Sequence, residues 1–122
     1  MKSFEIQIQG KAEADREFIE AFKNAQAGKK APEKTGIYFT SIESVRNLLT
    51  EKRLELLHMV KTKHPHSIYQ LAKLTGRNFK NVYEDIRILK GYGLVKMDRY
   101  VRKKKPWGIS VPYRDINIHA WI

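Results

Sequence analysis

An α+β fold, with helices gathered in the middle of the chain and strands towards both ends, follows from three observations. Phe4-Glu5-Ile6-Gln7-Ile8-Gln9 and Ile116-Asn117-Ile118-His119-Ala120-Trp121-Ile122 alternate apolar and polar residues, the period of half-buried strands. Between them, residues 41–91 are divided into helix-length pieces by cap and stop residues. After Gly93 the sequence turns strand-like again, in Leu94-Val95-Lys96-Met97, Tyr100-Val101 and Ile109-Ser110-Val111. At 122 residues and 42% hydrophobic, the chain has apolar side chains for one core.

The first strand stops at Gly10. Over residues 12–27 the period changes, with Ala14, Phe18, Ala21, Phe22 and Ala25 on one helical stripe. Glu13, Asp15 and Glu17 near its start and Lys23 near its end suit the helix dipole, and Gly28 is a stop. The polar stretch Lys29–Lys34 marks a boundary, giving a strand–helix appendage over 1–36 and a main domain over 37–122. Gly36–Phe39 reads as a short strand. Thr40 with Glu43 makes a capping-box pattern ahead of Ile42, Val45, Leu48 and Leu49. Thr50 caps a helix carrying Leu54, Leu56, Leu57 and Val60, closed by His64-Pro65 because proline disfavours helical geometry in the residue before it. Ser67 with Gln70 caps a short helix with Ile68, Leu71, Ala72 and Leu74, which Gly76 breaks. Asn78 caps the next, whose Val82, Ile86 and Leu89 form a core stripe ending at Gly91-Tyr92-Gly93. These signals predict three helical segments near 41–62, 67–75 and 78–91, then a hairpin of two or three strands within 95–112. The two alternating strands at either end are expected to pair, within one chain or across a dimer, so that deleting residues 1–10 lowers association or solubility.

Several chemistries are excluded. Without cysteine there is no disulfide scaffold, thiolate metal site or cysteine nucleophile. No apolar run reaches the ~20 residues of a bilayer span, and MKSFEIQIQGKAEADRE lacks the apolar stretch of a signal peptide, so a cytoplasmic protein with no membrane partner is expected. His64 and His66 have no third ligand at suitable spacing, so no metal is expected. His58 reads as a partly buried structural histidine. Glu84 and Asp85 are neighbours whose side chains diverge by about 100° on a helix, a poor acid–base pair. Asp85 is instead expected to organise Arg87, Lys90 or a residue of the following hairpin. Phosphate-cradling glycine loops and nucleophile elbows are absent, so neither catalysis nor a cofactor is expected.

Charge carries the positive signal. The formal charge is +11, and it is unevenly spread: residues 1–50 hold eight basic and seven acidic side chains, residues 51–122 sixteen and six. A segment that tolerates such self-repulsion usually faces a polyanion. The block from Ser67 to Met97 reads as a short helix, a glycine turn, a longer helix and a strand, which is a helix-turn-helix pattern. Its second helix leaves Arg77, Lys80, Asn81, Glu84, Arg87 and Lys90 away from the core stripe, with Ser67 and Asn78 at the two helix starts. Such groups offer guanidinium donors for guanine and an amide for adenine in the major groove. Arg99 and the run Arg102, Lys103, Lys104 and Lys105 cluster at the tip of the following hairpin, where phosphates would neutralise them.

LAKLTGRNFKNVYEDIRILKGYGLVKM resembles the helix-turn-helix and first wing strand of MarR-like winged-helix regulators. The leucine–alanine pair, the glycine turn, the Val82–Leu89 stripe and the closing Gly93-Leu94-Val95 carry the likeness. The chain is more similar still to a group of small DNA-binding proteins with this winged helix. In that group a segment like FTSIESVRNLLTEKRLELL precedes the motif, and a lysine–proline wing followed by VPYRDINI closes it, so the likeness covers about residues 39–119. The resemblance implies a winged helix-turn-helix that binds double-stranded DNA. Because members of the group are often encoded beside a toxin gene, it also implies an antitoxin role with a toxin protein as partner.

The leading expectation is therefore a sequence-specific, double-stranded DNA-binding transcriptional regulator acting as a dimeric repressor, with an autoregulating antitoxin as its extension. A homodimer is expected because one recognition helix and one wing reach only a short half-site. The alternatives are an antitoxin-type interaction module working mainly on a toxin through residues 1–36, and a winged helix that binds RNA. Readers of single-stranded RNA interleave aromatics with basic residues, whereas Phe18, Phe22, Tyr38, Phe39 and Tyr83 are expected in the core, which places RNA third.

Overall fold

The computed structural model describes residues 2–26, 28, 36–97 and 108–122, and for the helix that begins at Lys11 the side chains at 15, 16, 18–20 and 22–24. The elements run β1 (Lys2–Ile8), α1 (Lys11–Gln26), β2 (Gly36–Phe39), α2 (Ile42–Leu48), α3 (Glu51–Lys63), α4 (Ile68–Thr75), α5 (Phe79–Gly91), β3 (Lys96–Met97), β4 (Ile109–Ser110) and β5 (Tyr113–Ala120). The fold is α+β.

β1 is the middle strand of a three-stranded sheet ordered β2-β1-β5, and both pairings are parallel. The two alternating strands thus pair within one chain, with Phe4 beside Ile116 and Ile6 beside Ile118. Alternation puts Phe4, Ile6 and Ile8 on one face, where all three are buried in a single cluster with Leu56, Val60, Leu71, Val82, Ile86 and Leu89 of the helices. Phe4 also meets Tyr113 edge-to-face, with ring centroids 5.0 Å apart. The appendage expected over 1–36 therefore supplies the strand that both β2 and β5 bond to, and its expected boundary falls inside β2. The outer face carries polar links: Asn117 Nδ2 donates to Glu5 Oε1 at 3.2 Å, and the Trp121 indole donates to Gln7. A hydrogen bond with Ser3 holds the Asp115 carboxyl below its ordinary range; desolvation opposes it, and the adjacent Arg114 and the charge of Lys61 add to the lowering.

Gly36 begins β2 where no other residue fits. A Cβ there would lie 2.2 Å from the Glu5 carbonyl oxygen and 3.0 Å from the Glu5 Cβ, so the strand could not close onto β1. Gly36→Ala should cost about 1–3 kcal/mol by forced strand separation, read as a lowered midpoint in chemical denaturation.

Helix boundaries follow local chemistry. The helical segment near 41–62 is two helices, because Leu49 leaves helical geometry and Thr50 restarts it, its hydroxyl accepting from Arg53 N. The cap of α2 is Ser41, which accepts from Ser44 N, and not the predicted Thr40. Either hydroxyl fits the local pattern, and the cap falls to the residue adjoining the first helical position. His64 closes α3 with φ 49°, and Ser67 caps α4 through Gln70 N. Gln70 returns a bond by accepting from His66 N at 2.7 Å. His58 is exposed on α3, not partly buried as expected, since Leu56, Leu57 and Val60 turn that helix's other side to the core.

The expected core placement of the aromatics holds only for Phe39, which packs against the cluster. Phe18 is 73% exposed on α1, and Phe22, Tyr38 and Tyr83 are exposed as well. Ala14, Ala21 and Ala25 of the α1 stripe lie outside the described side chains, and residues 29–34 of the expected boundary loop lie outside the described residues. Among the described residues no helix is long and apolar enough to cross a membrane.

Candidate nucleic-acid interface

α4 and α5 are joined by Gly76-Arg77-Asn78. Gly76 takes φ 66° and ψ 25°, a left-handed conformation that glycine adopts without Cβ strain. Its amide, with that of Arg77, returns to the last turn of α4 at Lys73 and Ala72. Asn78 then opens α5 by accepting from Lys80 N at 2.8 Å. Val82, Ile86 and Leu89 bury one side of α5, which leaves Phe79, Lys80, Asn81, Tyr83, Glu84, Arg87 and Lys90 exposed. After Gly93 (φ 84°), Leu94 and Val95 are buried and lead into β3, which pairs antiparallel with β4.

The orientation of α5 is fixed by one carboxylate. Asp85 Oδ1 accepts from Arg53 Nε at 3.1 Å, and Oδ2 accepts from Arg77 Nη2 at 2.7 Å. All three side chains are only 16–17% exposed. Arg53 also donates through Nη1 to the carbonyls of Asn47 and Leu48 at the end of α2. The cluster therefore ties the end of α2, the start of α3, the α4–α5 turn and the middle of α5 together. Asp85 thus bonds Arg53 and Arg77 rather than the expected Arg87 or Lys90, which are exposed, and hairpin residues 98–107 lie outside the described ones.

The predicted site residues divide into groups. Arg77, Asn81 and Glu84 line one open groove of about 570 Å3 with Thr50 and Asp85, between the starts of α3 and α5. Lys80, Glu84 and Arg87, at i, i+4 and i+7, share one side of α5. Ser67 lies apart, in a second groove with Tyr69, Phe79, Met97 and Ile109. Ser67 and Asn78 use a side-chain oxygen each as helix caps, and Arg77 commits Nη2 to Asp85, so these three are partly occupied. Arg99, Arg102, Lys103, Lys104 and Lys105 lie outside the described residues.

One pair went unrecognised in the sequence. Phe79 and Tyr83 stack on the exposed side of α5, with centroids 6.1 Å apart and planes inclined by 24°. Their i, i+4 spacing was the available signal, and it is a core signal as readily as a surface one.

No curated protein and no solved structure matches the chain. The HVO_A0114 family model spans residues 48–118, from the end of α2 through α3, α4, α5 and the β3–β4 pair into β5. That is more than half of the chain, and the protein belongs to the HVO_A0114 family.

Proposed function

We propose that residues from α3 to β4 act as a winged helix-turn-helix and that the protein is a sequence-specific, double-stranded DNA-binding regulator of transcription, working as a homodimeric repressor. The observation that carries this reading is the glycine-turned α4–α5 pair, whose second helix buries Val82, Ile86 and Leu89 and exposes Lys80, Asn81, Glu84 and Arg87. The likeness to MarR-like winged helices and the excess of basic residues after Thr50 support it. In this reading α5 enters the major groove with Asn81 and Arg87 at base edges and Lys80 at a phosphate. Arg77 acts by positioning the turn. Arg99, Arg102, Lys103, Lys104 and Lys105 follow the backbone.

Fluorescence anisotropy against a selected duplex and a scrambled one, over a range of salt, tests this. Asn81→Ala should cost about 1–3 kcal/mol on the selected duplex and little on the scrambled one. Replacing Lys103, Lys104 and Lys105 with alanine should weaken both and reduce the salt slope by roughly two to three units. Equal, salt-insensitive binding to both duplexes by the unaltered protein rejects the reading. The exposed Phe79–Tyr83 pair favours a second reading, stacking on unpaired RNA bases, which hairpin RNA as competitor distinguishes.

A further inference from the structure

β5 is bonded on one side only. Among the described residues no strand lies beyond it in the order β2-β1-β5. Trp121 N donates to the Ile8 carbonyl at 3.0 Å, so backbone groups of the odd-numbered residues from Asn117 onward aim at β1. Those of Ile116, Ile118 and Ala120 consequently aim at the open edge. The one register irregularity falls between Tyr113 and Ile116, which leaves the edge regular from Ile116 to Ala120. The strand contains neither proline nor lysine, two common means of blunting such an edge. Ile118 stands 52% exposed on the face that Ile6 shares.

We propose that a second copy of this chain occupies this edge. The two β5 strands run antiparallel about a two-fold axis at Asn117, joining two three-stranded sheets into one of six strands. The edge is self-complementary. Edge-facing amides pair only with edge-facing carbonyls, so Ile116 and Ile118 must face residues of their own kind, which puts the helices of both copies on one side of the sheet. With the axis at Asn117, Ile116 of each copy lies against Ile118 of the other, covering the exposed apolar side chain. Asp115 adjoins the regular stretch and so brings a carboxylate near His119 of the other copy, twice. Moving the axis to Ile116 sets Arg114 against Ile118 and loses both matches. An isologous contact of this kind closes on itself and forms a dimer, not a fibre. It holds whether or not the chain binds DNA.

The absence of cysteine makes the register directly measurable. At the axis the two Asn117 Cα atoms form a non-hydrogen-bonded pair about 4.5 Å apart, within disulfide reach. Asn117→Cys, oxidised in air, should run almost entirely as a covalent dimer on a non-reducing gel. Asp115→Cys, whose two copies lie four residues and roughly 13 Å apart, should remain monomeric on the same gel. Ile118→Lys should keep the far-ultraviolet spectrum and shift the sedimentation coefficient from dimer to monomer. The proposal is overturned if the unaltered protein sediments as a monomer at every concentration loaded. It is equally overturned if the dimer survives Ile118→Lys, or if Asp115→Cys cross-links as readily as Asn117→Cys.

Discussion

Deleting residues 1–10 should leave a chain without a cooperative unfolding transition. The deletion removes the middle strand of the sheet, and with it Phe4, Ile6 and Ile8, all buried in the central cluster. Truncating one such side chain to alanine costs about 2–5 kcal/mol. Losing three at once is comparable to the roughly 5–15 kcal/mol that holds a typical domain folded. β2 and β5 would also lose their only described strand partner. The sequence-based expectation for this deletion, weaker association or solubility, thus understates the consequence. Ile6→Ala gives the graded version: a stability loss of about 2–5 kcal/mol in urea denaturation, with the cooperative transition retained. A deletion variant that melts with an undiminished cooperative transition would show that the sheet is dispensable.

Asp85→Ala should be the most damaging substitution of a polar residue. It leaves the Arg53 and Arg77 guanidiniums, both largely buried, side by side without their shared counter-charge. Removing one partner from a buried charge cluster typically costs about 3–5 kcal/mol, and the residual exposure here brings the expectation to about 2–4 kcal/mol. Asp85→Asn should lose nearly as much, since it keeps the shape and loses the charge. Arg53→Ala combined with Asp85→Ala should recover part of the loss, because one unpaired cation has gone; a double-mutant cycle in urea measures that coupling. Additive losses would mean that the two groups act independently. In the proposed function, Asp85→Ala also weakens binding to the selected duplex more than the stability loss explains, because α5 loses its tether to the α4–α5 turn.

The parts of the fold that rest on neighbouring residues were legible in the sequence. Thr50, Ser67 and Asn78 cap helices through amides two or three positions ahead, and Gly76 ends α4, as their chemistry dictates. The alternation of residues 4–9 identified a strand with one buried face. It carried no information that the strand would sit between two others, because period 2 is the same at an edge and in the middle. Distance along the chain hid the rest. Asp85 meets Arg53 across 32 positions, and no local pattern distinguishes that arginine from Arg87 or Lys90. Phe18 and Phe22 failed as core residues for the same reason: a helical stripe shows that a face is apolar, not that anything covers it. The charge asymmetry could be read completely, but the basic run at 102–105 lies where the structure describes nothing.

The parallel pairing of β1 with β5 sets an order of events in folding. Glu5 and Asn117, bonded across the sheet, stand 112 positions apart, so closing that loop costs chain entropy before any contact rewards it. Contacts among α3, α4 and α5 span far shorter separations and are available early. The helices should thus form the nucleus, with mutations at Leu71, Val82 or Ile86 slowing folding, whereas those at Ile6 or Ile116 chiefly speed unfolding. On a ribosome the consequence is sharper. β1 is made ahead of the other described elements yet waits, with one backbone edge open, until the residues of β5 have been made; the interval is a window for chaperone capture or misassembly.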